Sequence, residues 1–140
     1  MVEAIHTGKL YTINQGVFAT FFGGPLGGAL LLAQNYKQLN APQYAHLSVV
    51  LGLLATVALF PIALVLPERV SNVALPMAYT IAFRIMAERL QGKEVKSRMT
   101  AGVERHSWWR AVGISLSTLI VTLVVFVAGL LVVSLLSTSL

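Results

Sequence analysis

The chain of 140 residues is 56% hydrophobic and only 11% charged, with a mean hydropathy of +0.78. A soluble domain carries about 25% charged residues, so this composition excludes an ordinary water-exposed surface and indicates an integral membrane protein. The formal net charge is +5, but most basic residues lie in one segment next to an apolar stretch. That arrangement predicts contact with anionic lipid head groups and argues against nucleic acid as a partner.

The first predicted helix covers residues 11–36, because no charged residue lies between Lys9 and Lys37. About 20 helical residues cross the ~30 Å hydrocarbon core of a bilayer. Within this stretch stands "FFGGPLGG". The small residues that recur every four positions predict a groove for close helix packing, formed by Gly16, Thr20, Gly24 and Gly28. Pro25 predicts a kink, or alternatively a broken helix of the kind that transporters use.

The second and third predicted helices cover residues 44–66 and 71–90. The third helix must take Arg84 into the apolar region if it is to span. Polar residues at a spacing of four give it a slowly turning stripe: Asn72, Thr80, Arg84 and Glu88. We interpret Arg84 and Glu88 as a binding site for an anion or a lipid head group. The alternative is that Arg84 extends to the membrane surface beside Glu88.

A basic loop, residues 91–107, precedes a fourth predicted helix at 108–136. Trp108 and Trp109 open this helix and are typical of residues that anchor a span at the interface. His106 and Arg110, four residues apart, are a second predicted contact for a head group. Interfacial anchoring is the alternative role for both.

Short linkers join the predicted helices, which favours an all-α, up-down bundle of four transmembrane helices in a single membrane domain, 1–140. Seven basic residues then lie on the side of the 91–107 loop, and only Lys9 and Arg69 lie on the other side. The positive-inside rule places the loop in the cytoplasm, so both termini are predicted to be extracytoplasmic.

The sequence offers little for catalysis or metal binding. It contains no cysteine and no aspartate, and its three histidines have no spacing that suits a metal. We therefore predict no metal site, no cofactor and no enzymatic activity.

The segments "FFGGPLGGALLLAQNYKQLN", "LQGK" and "SWWRAVGI" resemble an uncharacterised family of small four-helix bacterial integral membrane proteins. The resemblance covers the first helix, the third loop and the start of the fourth helix. It implies four spans and a multi-pass location in the bacterial cytoplasmic (inner) membrane. It carries over no catalytic or binding residue.

Two functions are consistent with these sequence features. The first is an accessory or structural subunit, whose glycine groove and uncharged fourth helix pack with other membrane chains or further copies. The alternative is a homo-oligomeric transporter or channel for a small solute or ion, which uses the polar stripe of the third helix.

Overall fold

The computed structural model describes residues 8–140. Within them the only β-type pairing is an isolated bridge between Leu10 and Arg105, so the predicted all-α class is confirmed. The helices are α1 (Ile13–Gly23), α2 (Pro25–Gln38), α3 (Pro42–Val65), α4 (Ala74–Ala87), a π-helical turn (Glu88–Gly92), α5 (Lys93–Thr100) and α6 (Trp108–Ser139).

The segment predicted as one helix over 11–36 is instead two antiparallel helices, α1 and α2. The chain reverses at Gly24, whose φ of 78° and ψ of −178° are open to glycine and strained for other residues. The two arms lie side by side, since a methyl group on Gly27 would overlap the Ala19 carbonyl oxygen and one on Gly28 would overlap Thr20 Oγ1. The glycine-rich stretch is therefore the tip of a helical hairpin, residues 13–38, which we call the hairpin.

Local signals at both arms account for this reversal. Thr12 and Gln15 form a capping box at the start of α1, in which the Thr12 hydroxyl accepts from the Gln15 N–H. Pro25 stands at the first position of α2, where its missing N–H removes no helical hydrogen bond. Proline and glycine, which are poor helix formers inside a span, are thus well suited to the turn between two helices.

The remaining helices follow the sequence pattern more closely. The predicted helices 44–66 and 108–136 are found as α3 and α6. The predicted third helix starts later, at Ala74, and does not stop at residue 90. Helical backbone continues through the π-helical turn and α5 to Thr100, so much of the segment predicted as a loop, 91–107, is helical.

One end of the molecule collects eight of the ten lysine and arginine residues, and we call it the basic end: Lys9, Lys37, Arg89, Lys93, Lys96, Arg98, Arg105 and Arg110. Backbone hydrogen bonds join Leu10 to Glu104 and His106 there. The α3–α4 connection, which contains Arg69, lies at the opposite or far end. Residues 8–10 therefore lie beside the basic segment, whereas the predicted four-helix bundle has the N-terminal residues on the other side.

Two of the helices are long and apolar enough to cross a membrane by length and composition, namely Pro42–Val65 and Trp108–Ser139. The hairpin lies between them: α2 packs along α3, and α1 packs on α4 and on the first turns of α6. Small residues allow these close approaches. A methyl group on Gly52 would overlap Ala29 Cβ, and one on Gly23 would overlap Thr118 Oγ1.

A matched pair of glycine substitutions tests the hairpin. Gly28→Leu should lower the thermal unfolding midpoint in detergent by several degrees, because the new side chain overlaps Thr20 and the Phe83 ring. Overpacking of this kind costs about 1–3 kcal/mol. Gly113→Leu should leave the midpoint unchanged or raise it, because nothing lies within 4 Å of a Cβ at that position. Equal midpoints for the two variants would contradict the packed hairpin.

Candidate functional site

A buried polar cluster closes the open end of the hairpin. We call it the clasp, and it consists of Tyr11, Gln15, Asn35 and Gln91. Its centre is Asn35, near the end of α2. The Asn35 side chain accepts a hydrogen bond from the Tyr11 N–H at 2.8 Å and donates to the Tyr11 carbonyl at 2.9 Å. Both residues are almost fully buried. The Asn35 amide thus takes the place of a backbone hydrogen-bond partner for Tyr11, which lies two residues before the start of α1.

Two glutamines connect the clasp to other helices. Gln91, in the π-helical turn, accepts from the Asn35 amide at 3.2 Å and donates to the Leu32 carbonyl at 3.0 Å. Gln15, in the first turn of α1, donates to the His106 carbonyl at 2.7 Å. Because these side chains are buried and hydrogen-bonded, they hold the hairpin, the end of α4 and the start of α6 together.

Tyr11 brings together His106 and Arg110, two of the residues predicted to contact head groups. The Tyr11 and His106 rings stack with centroids 4.1 Å apart, and Arg110 Nε donates to the Tyr11 hydroxyl at 3.0 Å. Burial lowers the pKa of the His106 imidazole from its usual 6.5, and the positive charges of Arg110 and Lys9 lower it further. His106 is therefore held in its neutral form.

Arg84 and Glu88 form a separate ion pair on α4. Arg84 Nε lies 3.2 Å from Glu88 Oε1, and about half of each side chain is exposed. Thr80, which belongs to the same predicted stripe, is buried, and its hydroxyl has no hydrogen-bond partner among the described residues. The structure thus divides the stripe: Thr80 faces the interior, and the two charged residues lie on the outer surface, away from His106 and Arg110.

The two tryptophans at the start of α6 differ in their surroundings. Trp108 packs edge-on against Phe18 of α1, with ring centroids 5.9 Å apart. Trp109 points outward and is 82% exposed. Trp108 therefore fixes α6 against the hairpin, while Trp109 is free to contact the surroundings.

The tip of the hairpin is held by α4 and α6. The Tyr79 hydroxyl donates to the Phe21 carbonyl at 3.4 Å, and the Thr122 hydroxyl donates to the Gly23 carbonyl at 3.3 Å. Beyond the tip, toward the far end, lies a cavity of about 370 Å³ whose walls include Gly24, Glu68, Asn72, Tyr79 and Thr122. The hydrogen bonds from Tyr79 and Thr122 thus provide partners, from neighbouring helices, for carbonyl groups at the end of α1.

The sequence reading missed the most connected residues of this site. The sequence patterns described above assign no role to Gln15, Asn35 or Gln91. The sequence feature that could have pointed to Asn35 is its position as an amide in the last turn of an apolar helix. Its partner, Tyr11, lies 24 positions earlier in the chain. Among residues 8–140 no group of three or more histidine, cysteine, aspartate or glutamate side chains could hold a metal ion. The amide side chains of the clasp hydrogen-bond to backbone groups and to each other.

No protein-family model, no curated protein and no solved structure matches this chain.

Replacing Asn35 tests the clasp. Asn35→Ala leaves the backbone groups of Tyr11 and the Gln91 carbonyl oxygen without partners, at about 1–3 kcal/mol for each orphaned buried group. We expect a clear fall in the thermal midpoint and faster hydrogen exchange over residues 10–15. Asn14→Ala, an exposed asparagine in the first turn of α1, should change neither measurement. Similar behaviour of the two variants would show that the clasp does not hold the hairpin.

His106 should make stability depend on pH. Its pKa is lower in the folded chain than the usual 6.5, so the unfolded chain takes up the proton first. The thermal midpoint should therefore fall as the pH drops from 6.5 toward the folded pKa. His106→Phe keeps an aromatic ring beside Tyr11 without a titrating group and should flatten this dependence. Identical pH profiles for the two proteins would rule out His106 as its source.

Proposed function

We propose that this chain is an integral membrane protein, with three spanning helices and a re-entrant hairpin, that works as a subunit packed against other membrane chains. The length and apolar composition of α3 and α6 support the first part. At ~1.5 Å per residue they measure roughly 36 and 48 Å, against a hydrocarbon core of ~30 Å. The third crossing in this proposal is the first part of the continuous helical run, residues 74–90, which measures roughly 25 Å.

The hairpin enters the bilayer from the basic end and returns to it. With 11 and 14 residues, its arms reach roughly 16 and 21 Å, too little to cross. Non-helical backbone inside a bilayer is tolerated where protein surrounds it. The hydrogen bonds from Tyr79 and Thr122 to carbonyls at the tip meet that condition.

The basic end is the cytoplasmic end in this proposal. Eight of the ten lysine and arginine residues lie there, and only Arg69 lies at the far end. With a re-entrant hairpin, the described N-terminal residues are cytoplasmic and the end of α6 is extracytoplasmic. The sequence resemblance described above favours the cytoplasmic membrane of a bacterium as the location.

The proposal of a subunit role rests on the exposed part of α6. The buried residues of this helix, Ala111, Ser115 and Thr118, all lie in its first third. Farther along, contact within the chain is made by the Phe60 ring, which packs on Phe126 and stands over Gly129. From Leu130 to Leu136 the large apolar side chains are 44–71% exposed. In lipid, this apolar surface contacts acyl chains, and another helix can take their place through van der Waals packing.

Solute passage through the polar stripe receives less support from the geometry. Arg84 and Glu88 pair with each other on the outer face of α4 and do not line an internal path. The cavity beyond the hairpin tip opens at the far end, but the clasp closes the opposite end with buried, hydrogen-bonded side chains. Packing with other chains therefore remains the function that we propose.

Single cysteines test the proposed topology, because the chain has none of its own. In intact cells, Ser139→Cys should react with a membrane-impermeant thiol reagent, and Glu68→Cys should react with it as well. Lys9→Cys should react only after the membrane is permeabilised. Labelling of Lys9→Cys from outside would contradict the re-entrant hairpin and favour four crossings.

A photoreactive amino acid tests the subunit role. Placed at Leu131 or Leu135 in native membranes, it should yield one discrete protein adduct, heavier than the 15.1 kDa chain. Placed at Ser115, which is buried against the hairpin, it should yield crosslinks only within the chain. Mass spectrometry of the adduct distinguishes a second copy from a different polypeptide. Lipid adducts alone at both exposed positions would count against the proposal.

A further inference from the structure

A lateral groove separates α3 from α4 at the basic half of the molecule. The two helices follow each other in the chain, but α3 packs mainly on α2 and α4 packs mainly on α1. The space between them has a volume of about 230 Å³ and an almost entirely apolar lining. Its floor is the hairpin, with Ala29 and Leu32, and its walls include Leu51 and Ala55 of α3 and Met86 of α4.

The length of the groove matches one leaflet of a bilayer. Along the floor it runs from Pro25 to Leu32, and along the α4 wall from Tyr79 to Leu90. These stretches correspond to roughly 10 and 16 Å of helix, against ~15 Å for half of the hydrocarbon core. Tyr79 lines the inner end of the groove, and its hydroxyl bonds to the Phe21 carbonyl at the hairpin tip. A chain that enters from the basic end therefore stops near the middle of the membrane.

The size of the groove favours an acyl chain over a helix. A 15 Å length of helix, about 10 Å across, would occupy roughly 1,200 Å³. All of the free space between the two helices, including the part open to the surroundings, is about 720 Å³, well below that figure. A narrow apolar occupant, about one leaflet long, fits the space without separating α3 from α4.

Two basic residues lie close in sequence to the groove lining, at the basic end of the molecule. Arg89 is the neighbour of Leu90 on α4, and Lys37 lies in the last turn of α2, five positions after Leu32. Both are exposed, and neither takes part in an ion pair with residues of the described chain, 8–140. Arg84, by contrast, is occupied by Glu88.

We propose that this groove binds one acyl chain of an anionic phospholipid of the basic-end leaflet, with the phosphate against Lys37 and Arg89. The inference rests on the membrane placement proposed above. It differs from the predicted head-group contacts at Arg84, Glu88, His106 and Arg110, which lie on other surfaces.

A matched pair of tryptophan variants tests the groove. The protein is reconstituted in vesicles of equal parts phosphatidylglycerol and phosphatidylcholine, extracted gently and weighed by native mass spectrometry. We expect the unchanged chain to retain one phosphatidylglycerol. Ala55→Trp fills the groove and should lose this adduct, whereas Ala58→Trp, at an exposed position of the same helix outside the groove, should keep it. Ala82→Trp fills the groove from the α4 wall and repeats the test if Ala55→Trp misfolds.

Charge variants test the head-group contact. Lys37→Gln and Arg89→Gln should each weaken phosphatidylglycerol retention about fivefold, which corresponds to about 1 kcal/mol per basic residue at a membrane surface. Lys96→Gln, an exposed lysine of α5 outside the groove, should leave retention unchanged. Retention that does not distinguish phosphatidylglycerol from phosphatidylcholine would overturn the anionic assignment.

Flotation of the vesicles separates the two proposals. If the chain floats with the vesicles but all variants retain lipid equally, the groove proposal fails and the membrane placement stands. If the chain does not float, the membrane placement itself fails. A loss of mass by one whole protein chain in Ala55→Trp would show that a second copy or another polypeptide occupies the groove, which would also overturn the lipid proposal.

Discussion

The fold depends on the pair of hydrogen bonds between the Asn35 side chain and the backbone of Tyr11. These bonds close the hairpin at its open end, where the two arms would otherwise be free to separate. Without the pairing, the Tyr11 N–H and carbonyl would be buried and unbonded, which is costly in a low-dielectric interior. The positions of Gln91, His106 and Arg110 follow from this contact, because each bonds to or stacks against one of its two members.

The long helices could be predicted from the sequence because their cause is local. The distance between charged residues fixes where an apolar helix can run, and α3 and α6 follow that rule closely. The first helix could not be predicted in the same way. Pro25 and its neighbouring glycines are compatible with a kink, which proline causes inside a helix, and with a full reversal, which glycine permits through its positive φ. The local signals do not reveal the contact between Asn35 and Tyr11, 24 residues apart, which holds the two arms together after the reversal.

The candidate site also contains some features that follow from local sequence and others that depend on distant contacts. The four-residue spacing of Arg84 and Glu88 puts both on one face of a helix, where they can pair, since that is a property of any helix. It could not show which way the pair faces. The role of Gln91 could not be predicted for a further reason. It lies in a π-helical turn, where the extra residue changes the direction of every side chain that follows. A regular helix would place it elsewhere, away from the Leu32 carbonyl to which it donates.

The hairpin also has a consequence for how the chain would enter a membrane during synthesis. In the proposed topology, the hairpin starts and finishes in the cytoplasm, so none of the described charged residues before Glu68 is carried across. Within residues 8–140, the α3–α4 connection is the charged segment that crosses, and its side chains, Glu68 and Arg69, have opposite signs. Moving one elementary charge through the membrane potential involves ~2.3 kcal/mol per 100 mV. Since the two charges cancel, the transfer of this connection is nearly independent of the potential.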